Sequence, residues 1–243
     1  MKAVERITFV GLGHMGEPMA ARLVNEGFDV TVFDARHDVA AAFVDRHGAR
    51  CSDSVASALR DADAVVAMLP DDAAVRTVML GAGGAAFCMA AGSIAIDMGT
   101  SSPQSTLEIA KILSSKTIAY LDAPVMGGVR FAQDGSLDVM VGGDAESVER
   151  CLPLFATLGR NTWRCGASGS GHALKAIANF INAAALVTLA EGMAAGRKFG
   201  LDGQFLARAL TAMCAGRQHP LEKKVIPQIM SRRFDSGMAM GLI

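Results

Sequence analysis

Apolar residues recur along this chain in two rhythms. Short β-branched runs, ERITFV, DVTVFD, AVVAML, SIAIDM, TIAYLDA, LDVMVGG and NTWRC, have the length and composition of sheet strands. Between them stand Ala-rich stretches with apolar residues three and four apart: MGEPMAARLVNEG, DVAAAFVDRHG, SVASALRDA, PQSTLEIAKILSS and AESVERCLPLFATLG. That spacing draws an apolar stripe along a helix, and several stretches end on the Gly that closes one. Strand alternating with helix predicts an α/β fold over residues 1–165, a Rossmann-like, doubly wound, mostly parallel sheet covered by helices.

After Gly166 the strand pattern stops. GHALKAIANFINAAALVTLAEGMAAGRKFGL predicts a single helix over 172–199, about 40 Å long at 1.5 Å per residue. It is apolar on nearly every side, so it demands burial by a second helical domain or by a partner subunit. Residues 166–243 are therefore expected to be a connecting helix and a partial all-α domain for substrate binding and oligomerisation. Residues 173–195 also have the length of a membrane span, but Lys175, Asn179, Asn182 and Glu191 make that placement costly in lipid.

Composition narrows the partners. With 51% hydrophobic and 19% charged residues, the chain is apolar enough to predict an extensive subunit interface, in a homodimer or homotetramer. Lys and Arg number 23 against 24 Asp and Glu, a formal charge of -1, so no global field draws the chain to nucleic acid or to an anionic membrane. The five cysteines, Cys51, Cys88, Cys151, Cys165 and Cys214, are odd in number and scattered, which predicts reduced thiols and no metal site. The apolar run at the N-terminus is too short for a signal peptide and leads directly into a glycine turn, so a cytoplasmic protein is expected. The five histidines lack paired metal spacing, no G-x-S-x-G occurs, and no P-loop Lys-Ser/Thr follows the glycine turn. Zinc, acyl-transfer and phosphoryl-transfer chemistry are set aside on that inventory.

The glycine turn points elsewhere. Gly11, Gly13 and Gly16 form G-x-G-x-x-G, enclosing Leu12, His14 and Met15, directly after the strand ITFV and at the start of a helix. In that context the first glycine permits a tight turn, the second lets a pyrophosphate approach the backbone, and the third allows close helix-to-strand packing. The helix N-terminus offers free N–H groups to the phosphates. Asp34 ends the second strand 23 positions after Gly11, where a carboxylate accepts hydrogen bonds from ribose hydroxyls and repels a 2′-phosphate. NAD is therefore expected over NADP, although Arg36 and His37 stand close enough to offer a cation to that phosphate.

FVGLGHMGEPMAARLVNEGFDVTVFD, followed in order by AMLPDDAAV, DAPVMGGVRFAQDGSLDVMVGG and GSGHALKAIAN, resembles the β-hydroxyacid dehydrogenases, the family of 3-hydroxyisobutyrate dehydrogenase and tartronate semialdehyde reductase. The resemblance implies that Met68, Leu69 and Pro70 line the cofactor cleft and that Thr100 lies near nicotinamide and substrate. The residues alone also allow a strand end at Met68 to Pro70 and a helix cap at Thr100. The resemblance further implies a substrate loop at Met126, Gly127 and Gly128, whose amides hold a carboxylate. Two positions depart from the family's pattern: Gly99 and Met126 stand where serine is usual, and a thioether is a poor hydrogen-bond partner.

GSGHALKAIAN matches the family's G-x-G-x-x-x-K-x-x-x-N at Gly169, Gly171, Lys175 and Asn179. Spacing singles out the same helix, because His172, Lys175, Asn179 and Asn182 fall at i, i+3, i+7 and i+10, one polar stripe on an apolar helix. Oxidising an alcohol requires removal of the hydroxyl proton as hydride leaves carbon, and a buried lysine with a lowered pKa serves as that acid/base. Lys175 is assigned this role, Asn179 the role of orienting Lys175 and substrate, and His172 a structural place at the helix start. The expected reaction is reversible hydride transfer between NAD and a small 3-hydroxy acid or its semialdehyde. The alternatives are a tartronate, succinic semialdehyde or glyoxylate type of reductase, and a dinucleotide-binding module of weak catalysis. The closing FDSGMAMGLI stops before family members continue into a Lys-Asp pair and further helices. It predicts a fragment of a longer protein, or else a naturally short form with a more open cleft; in both cases Met238, Met240, Leu242 and Ile243 project an apolar end, favouring association and low activity unless a partner subunit or the missing segment covers the site.

Overall fold

The computed structural model describes residues 3–214 and Met230. One sheet holds nine strands: β1 (Arg6–Val10), β2 (Asp29–Phe33), β3 (Arg50–Cys51), β4 (Ala64–Ala67), β5 (Ile94–Asp97), β6 (Ala119–Asp122), β7 (Val125–Met126), β8 (Leu137–Gly142) and β9 (Gly159–Gly166). Interleaved with them are α1 (Gly16–Asn25), α2 (His37–His47), α3 (Val55–Leu59), α4 (Asp72–Leu80), α5 (Ala85–Cys88), α6 (Pro103–Ser114), α7 (Val129–Asp134) and α8 (Ala145–Leu158). The long helix α9 (Ser170–Lys198) and then α10 (Gly203–Cys214) follow. Every strand expected from the apolar runs forms. The additional strands, β3 and β7, have two residues each, too short to show an alternation. Helices α5 and α7, of four and six residues, are likewise too short for a period. The additional helix α4 does carry a signal: Asp71 caps its N-terminus and Val75, Val78 and Met79 make its buried stripe.

The strand order is β3-β2-β1-β4-β5-β6-β8-β7, with β9 paired to β8. Pairs from β3 through β6, and the β8–β9 pair, are parallel, whereas β8 runs antiparallel to β6 and β7. The sheet is therefore doubly wound and mostly parallel. Its order reverses between β1 and β4, which opens a crevice at the C-terminal ends of those strands.

Side chains of successive strand residues point to opposite faces, so each strand feeds two cores. Ala64 and Val66 of β4 join Ile7, Phe9, Val30 and Val32 under α1, α2 and α8. Val65 and Ala67 join Val10, Ala95 and Tyr120 under α3, α4, α5 and α6. Strands buried on both faces must be apolar throughout, which is why the runs read as continuous rather than alternating. All five cysteines are free, and burial pushes the Cys151 thiol up to about 12.

The chain packs as two compact units, Met1–Asn179 and Phe180–Ile243. In the first, the opening turns of α9 are buried at Gly171, His172 and Lys175. In the second, Leu206 of α10 is buried, and a Cβ at Gly196 would come within 2.6 Å of its Cδ1. Beyond these turns the single chain leaves α9 exposed among the described residues, Phe180 at 74% and Leu186 at 69%. By length and composition α9 is long and apolar enough to cross a membrane, and only 6% of its apolar stretch is buried. Met238, Met240, Leu242 and Ile243 lie outside the described residues.

Phe155 of α8 is fully buried in the first of the two cores. Phe155→Ala is expected to lower unfolding stability by about 3–5 kcal/mol, read from urea denaturation midpoints.

Candidate active site

The turn after β1 is built by contact. A Cβ at Gly11 would lie 2.4 Å from the Met68 carbonyl oxygen, and one at Gly16 would lie 1.9 Å from the Gly11 carbonyl oxygen. Gly11 also has φ +96°, in the left-handed region that favours glycine. Both positions are thus closed to any side chain, and their closeness draws the start of α1 down onto the strand ends. Gly13 differs, since a Cβ there would meet nothing within 4 Å. It is exposed. The N-terminus of α1 has no side-chain cap, unlike α3, α4, α6 and α8, which Ser54, Asp71, Ser102 and Asp144 cap. Closed glycines behind, an open glycine in front and free amides at a helix start suit a pyrophosphate, so these residues fit a dinucleotide.

The other expected cofactor residues lie along the same edge. The Leu12 amide donates to Asp34 Oδ2 at 2.8 Å, tying the end of β2 to the glycine turn. Asp34 Oδ1 accepts from the Arg36 amide at 2.9 Å, and the Arg36 guanidinium stands 3.6 Å away. His14 is exposed and Met15 half-buried at the helix start. Met68 and Leu69 are half-buried and Pro70 exposed, in the loop leaving β4. A Cβ at Gly99 would lie 3.1 Å from the Leu69 carbonyl oxygen, so the loop leaving β5 adjoins the one leaving β4. Thr100 is exposed in that loop and caps nothing: the cap of α6 is Ser102, whose Oγ accepts from the Ser105 amide.

Lys175 is buried on the first turns of α9. Its ammonium donates to the Val125 carbonyl oxygen at 2.7 Å and lies 3.8 Å from Met126 Sδ. No ion pair to Lys175 occurs among the described residues, and burial holds it below the usual lysine range. Gly127 and Gly128, immediately after, are exposed; a Cβ at Gly128 would meet nothing within 4 Å. Gly127, with φ +132°, turns the chain so tightly that a Cβ would press on Leu137 and Phe131. The structure thus brings Lys175 together with Met126 and its two glycines. Asn179, one turn beyond Lys175, is exposed, and among the described residues no hydrogen bond joins the two.

Behind Lys175 lies a buried polar cluster that spacing alone did not disclose. Asp97 and Asp122 end β5 and β6 in register with each other, and both are fully buried. Asp122 accepts from the Gly169 and His172 amides at 2.8 and 2.9 Å, which fixes the start of α9. Asp97 accepts from the Gly99 amide at 2.9 Å and from Ser101 Oγ at 2.6 Å, which shapes the loop carrying Thr100. Burial pushes Asp97 above the usual carboxylate range, although His172, Ser101, Gly99 and Tyr120 act against it. Burial and the neighbouring Asp97 and Asp122 push the Tyr120 phenol well up. The available signal was the acidic residue closing each of two apolar runs, IAID and AYLD.

Residues 6–166 match the model of the NAD binding domain of 6-phosphogluconate dehydrogenase, and residues 169–243 match that of the NAD-binding domain of NADP-dependent 3-hydroxyisobutyrate dehydrogenase. The chain is 36% identical over 237 residues to 2-(hydroxymethyl)glutarate dehydrogenase of Eubacterium barkeri, covering 98% of this chain and 78% of that one. The chain belongs to the β-hydroxyacid dehydrogenase family. It is 36% identical over 213 residues to the NAD-dependent L-serine dehydrogenase of Pseudomonas aeruginosa, covering 88% of this chain and 71% of that one. The solved structure of Mycobacterium tuberculosis 3-hydroxyisobutyrate dehydrogenase with L-serine superposes with a TM-score of 0.80 at 29% identity, over 100% of this chain and 90% of that one. As a β-hydroxyacid dehydrogenase, the protein is an NAD(P)-dependent oxidoreductase acting on the CH–OH group of hydroxy acids.

The two kinds of glycine give a paired prediction. Gly16→Ala forces backbone apart and should cost about 1–3 kcal/mol or more of stability. Gly13→Ala should leave the melting temperature unchanged and weaken NAD binding, as read by calorimetric titration. Equal cofactor affinity for Gly13→Ala and wild type would show that the phosphates do not pass over this glycine.

Proposed function

We propose that the protein oxidises a small 3-hydroxy acid to its semialdehyde, reversibly, with Lys175 as general acid/base and NAD as the preferred cofactor. The observation that supports this reading is the Lys175 ammonium, buried with no ion pair among the described residues and held 2.7 Å from the Val125 carbonyl oxygen, beside the exposed Gly127 and Gly128. Gly11, Leu12, Gly13, His14, Met15 and Gly16 hold the pyrophosphate, Asp34 the adenosine ribose, and Met68, Leu69, Pro70 and Thr100 line the nicotinamide end. When bound, NAD supplies the hydride acceptor. Lys175 takes the hydroxyl proton in oxidation and returns it in reduction. Gly127 and Gly128 offer amides to the substrate carboxylate, Thr100 is a further substrate contact, and Asn179 orients Lys175 and substrate once the site is filled.

Met126 sets the specificity question. Its thioether lies 3.8 Å from the Lys175 ammonium, leaving the carboxylate to the backbone amides. The substrates named for the relatives, L-serine, 3-hydroxyisobutyrate and 2-(hydroxymethyl)glutarate, share a primary alcohol one carbon from the carbon that bears a carboxylate. That shared unit is the substrate class proposed here. The exposed apolar side chains of α9, interrupted by the polar Asn182 and Glu191, favour a cytoplasmic homodimer or homotetramer over a membrane span.

Lys175→Ala is expected to lower turnover by about 10²-fold or more while NAD affinity is retained. A lysine held low by burial is neutral at a lower pH than an exposed one. In wild type, oxidation should therefore climb with pH along a limb centred below about 10.4, and reduction should fall along the same limb. Initial rates against pH in both directions, with 3-hydroxyisobutyrate and L-serine and their aldehydes, check this; NAD binding with no turnover of any such acid would sink the reading. Asp34→Ser removes the carboxylate that faces a 2′-phosphate, so the ratio of kcat/KM for NAD to that for NADP should fall. A wild type that uses NADP as well as NAD would contradict the preference.

A further inference from the structure

His172 has no part in the chemistry above, yet its setting is closely constrained. The imidazole is fully buried, with Nδ1 2.7 Å from Thr106 Oγ1. Thr106 Oγ1 also lies 3.1 Å from the Ser102 carbonyl oxygen, an acceptor for its hydrogen, and either the hydroxyl or the ring nitrogen can donate across the 2.7 Å contact. Nε2 has no hydrogen-bond partner among the described residues and points towards Asp97 Oδ2 at 3.7 Å. Asp122 Oδ2 lies 4.0 Å from Nδ1. The groups facing the ring are thus Asp97 from β5, Asp122 from β6 and Thr106 from α6, with the Tyr120 hydroxyl 3.4 Å behind on Asp97 Oδ2.

We propose that His172 is a positioning residue for the dehydrogenase reaction: its imidazole couples the loop that carries Thr100 to the helix that carries Lys175. Asp97 shapes the loop through Gly99 and Ser101, Asp122 holds the helix through Gly169 and its own His172 amide, and the ring is wedged between the two carboxylates. Lys175 follows one turn later on the same helical face. The seat has little slack, because a Cβ at Gly171 would lie 2.4 Å from the Met140 carbonyl oxygen and 2.7 Å from that of Asp122. An apolar plug of the same volume would fill the space without burying the partnerless Nε2, so a purely structural filler gives no reason for this choice. The directional contacts do, since they fix the angle at which α9 leaves the strand ends. This inference rests on the assignment of Lys175 as the acid/base.

The test uses the full chain with NAD and whichever of 3-hydroxyisobutyrate and L-serine the wild type turns over, together with a ¹⁵N NMR titration of the Lys175 ammonium without ligands. His172→Leu should keep the NAD dissociation constant and the KM and lower kcat by about 10²-fold, the scale of a misplaced catalytic group. It should also move the Lys175 titration midpoint towards that of an exposed lysine, while His172→Gln, whose amide reaches between Thr106 and Asp97, recovers part of both. An unchanged kcat, or a loss that runs parallel to loss of NAD binding, overturns the proposal. If His172→Leu does not fold, Thr106→Val removes only the hydroxyl; a smaller fall in kcat and a midpoint shift support the proposal, and wild-type values of both overturn it. In a Lys175→Ala background His172→Leu should cost nothing further, and a second full loss overturns the coupling while leaving Lys175 its role. A Lys175→Ala enzyme that keeps its turnover is a separate result, which removes the assignment of Lys175 itself.

Discussion

Both carboxylate oxygens of Asp122, at the buried end of β6, accept backbone amides from the start of α9, those of Gly169 and His172. An anion at a helix N-terminus satisfies donors that have no partner within the helix and faces the positive end of its dipole. Removed from water, that join is directional and tight, and Gly171 lets the helix press against the strand ends without a side chain between. Lys175 stands beside Val125 and Met126 because the helix begins there and leaves at that angle. Move the start of α9 and the ammonium leaves Val125 and Met126.

The cofactor end of the site depends on a different constraint, the reversal of strand order between β1 and β4. Loops leaving neighbouring parallel strands emerge at the same edge, and at the reversal they part and leave a crevice. Gly11 packs on Met68, Gly99 on Leu69, and Asp34 receives the Leu12 amide, so loops from four strands are in mutual contact before any ligand arrives. Backbone meets backbone at Gly11, Gly16 and Gly99, whereas Gly13 faces open space. Preorganisation of this kind spares the ordering of loops on binding.

The site and the exposed length of α9 follow from one feature, a helix longer than one small domain can cover. Its first turns bring Lys175 into the site, and the rest presents Phe180, Leu186 and Val187 to solvent in the single chain. A helix apolar on nearly all sides is stable only when covered.

The amino-acid sequence by itself determined the strands, the principal helices and the doubly wound class, because apolar period and glycine placement are local properties of the chain. It also marked the dinucleotide turn and the lysine helix, since Gly11, Gly13 and Gly16 and the polar stripe at His172, Lys175, Asn179 and Asn182 are spaced by the geometry of one turn and one helix. Contact between remote segments was beyond it. That Asp97 and Asp122 lie in register, that His172 fills the space between them, and that Met126 meets the lysine depend on residues about 25 to 75 positions apart meeting at the end of a sheet. Helices α5 and α7 and strands β3 and β7 escaped for a simpler reason, being shorter than the period that would reveal them. Only the tertiary structure decided which polar residues are buried, because burial is set by what the rest of the chain lays over a position rather than by its neighbours in sequence.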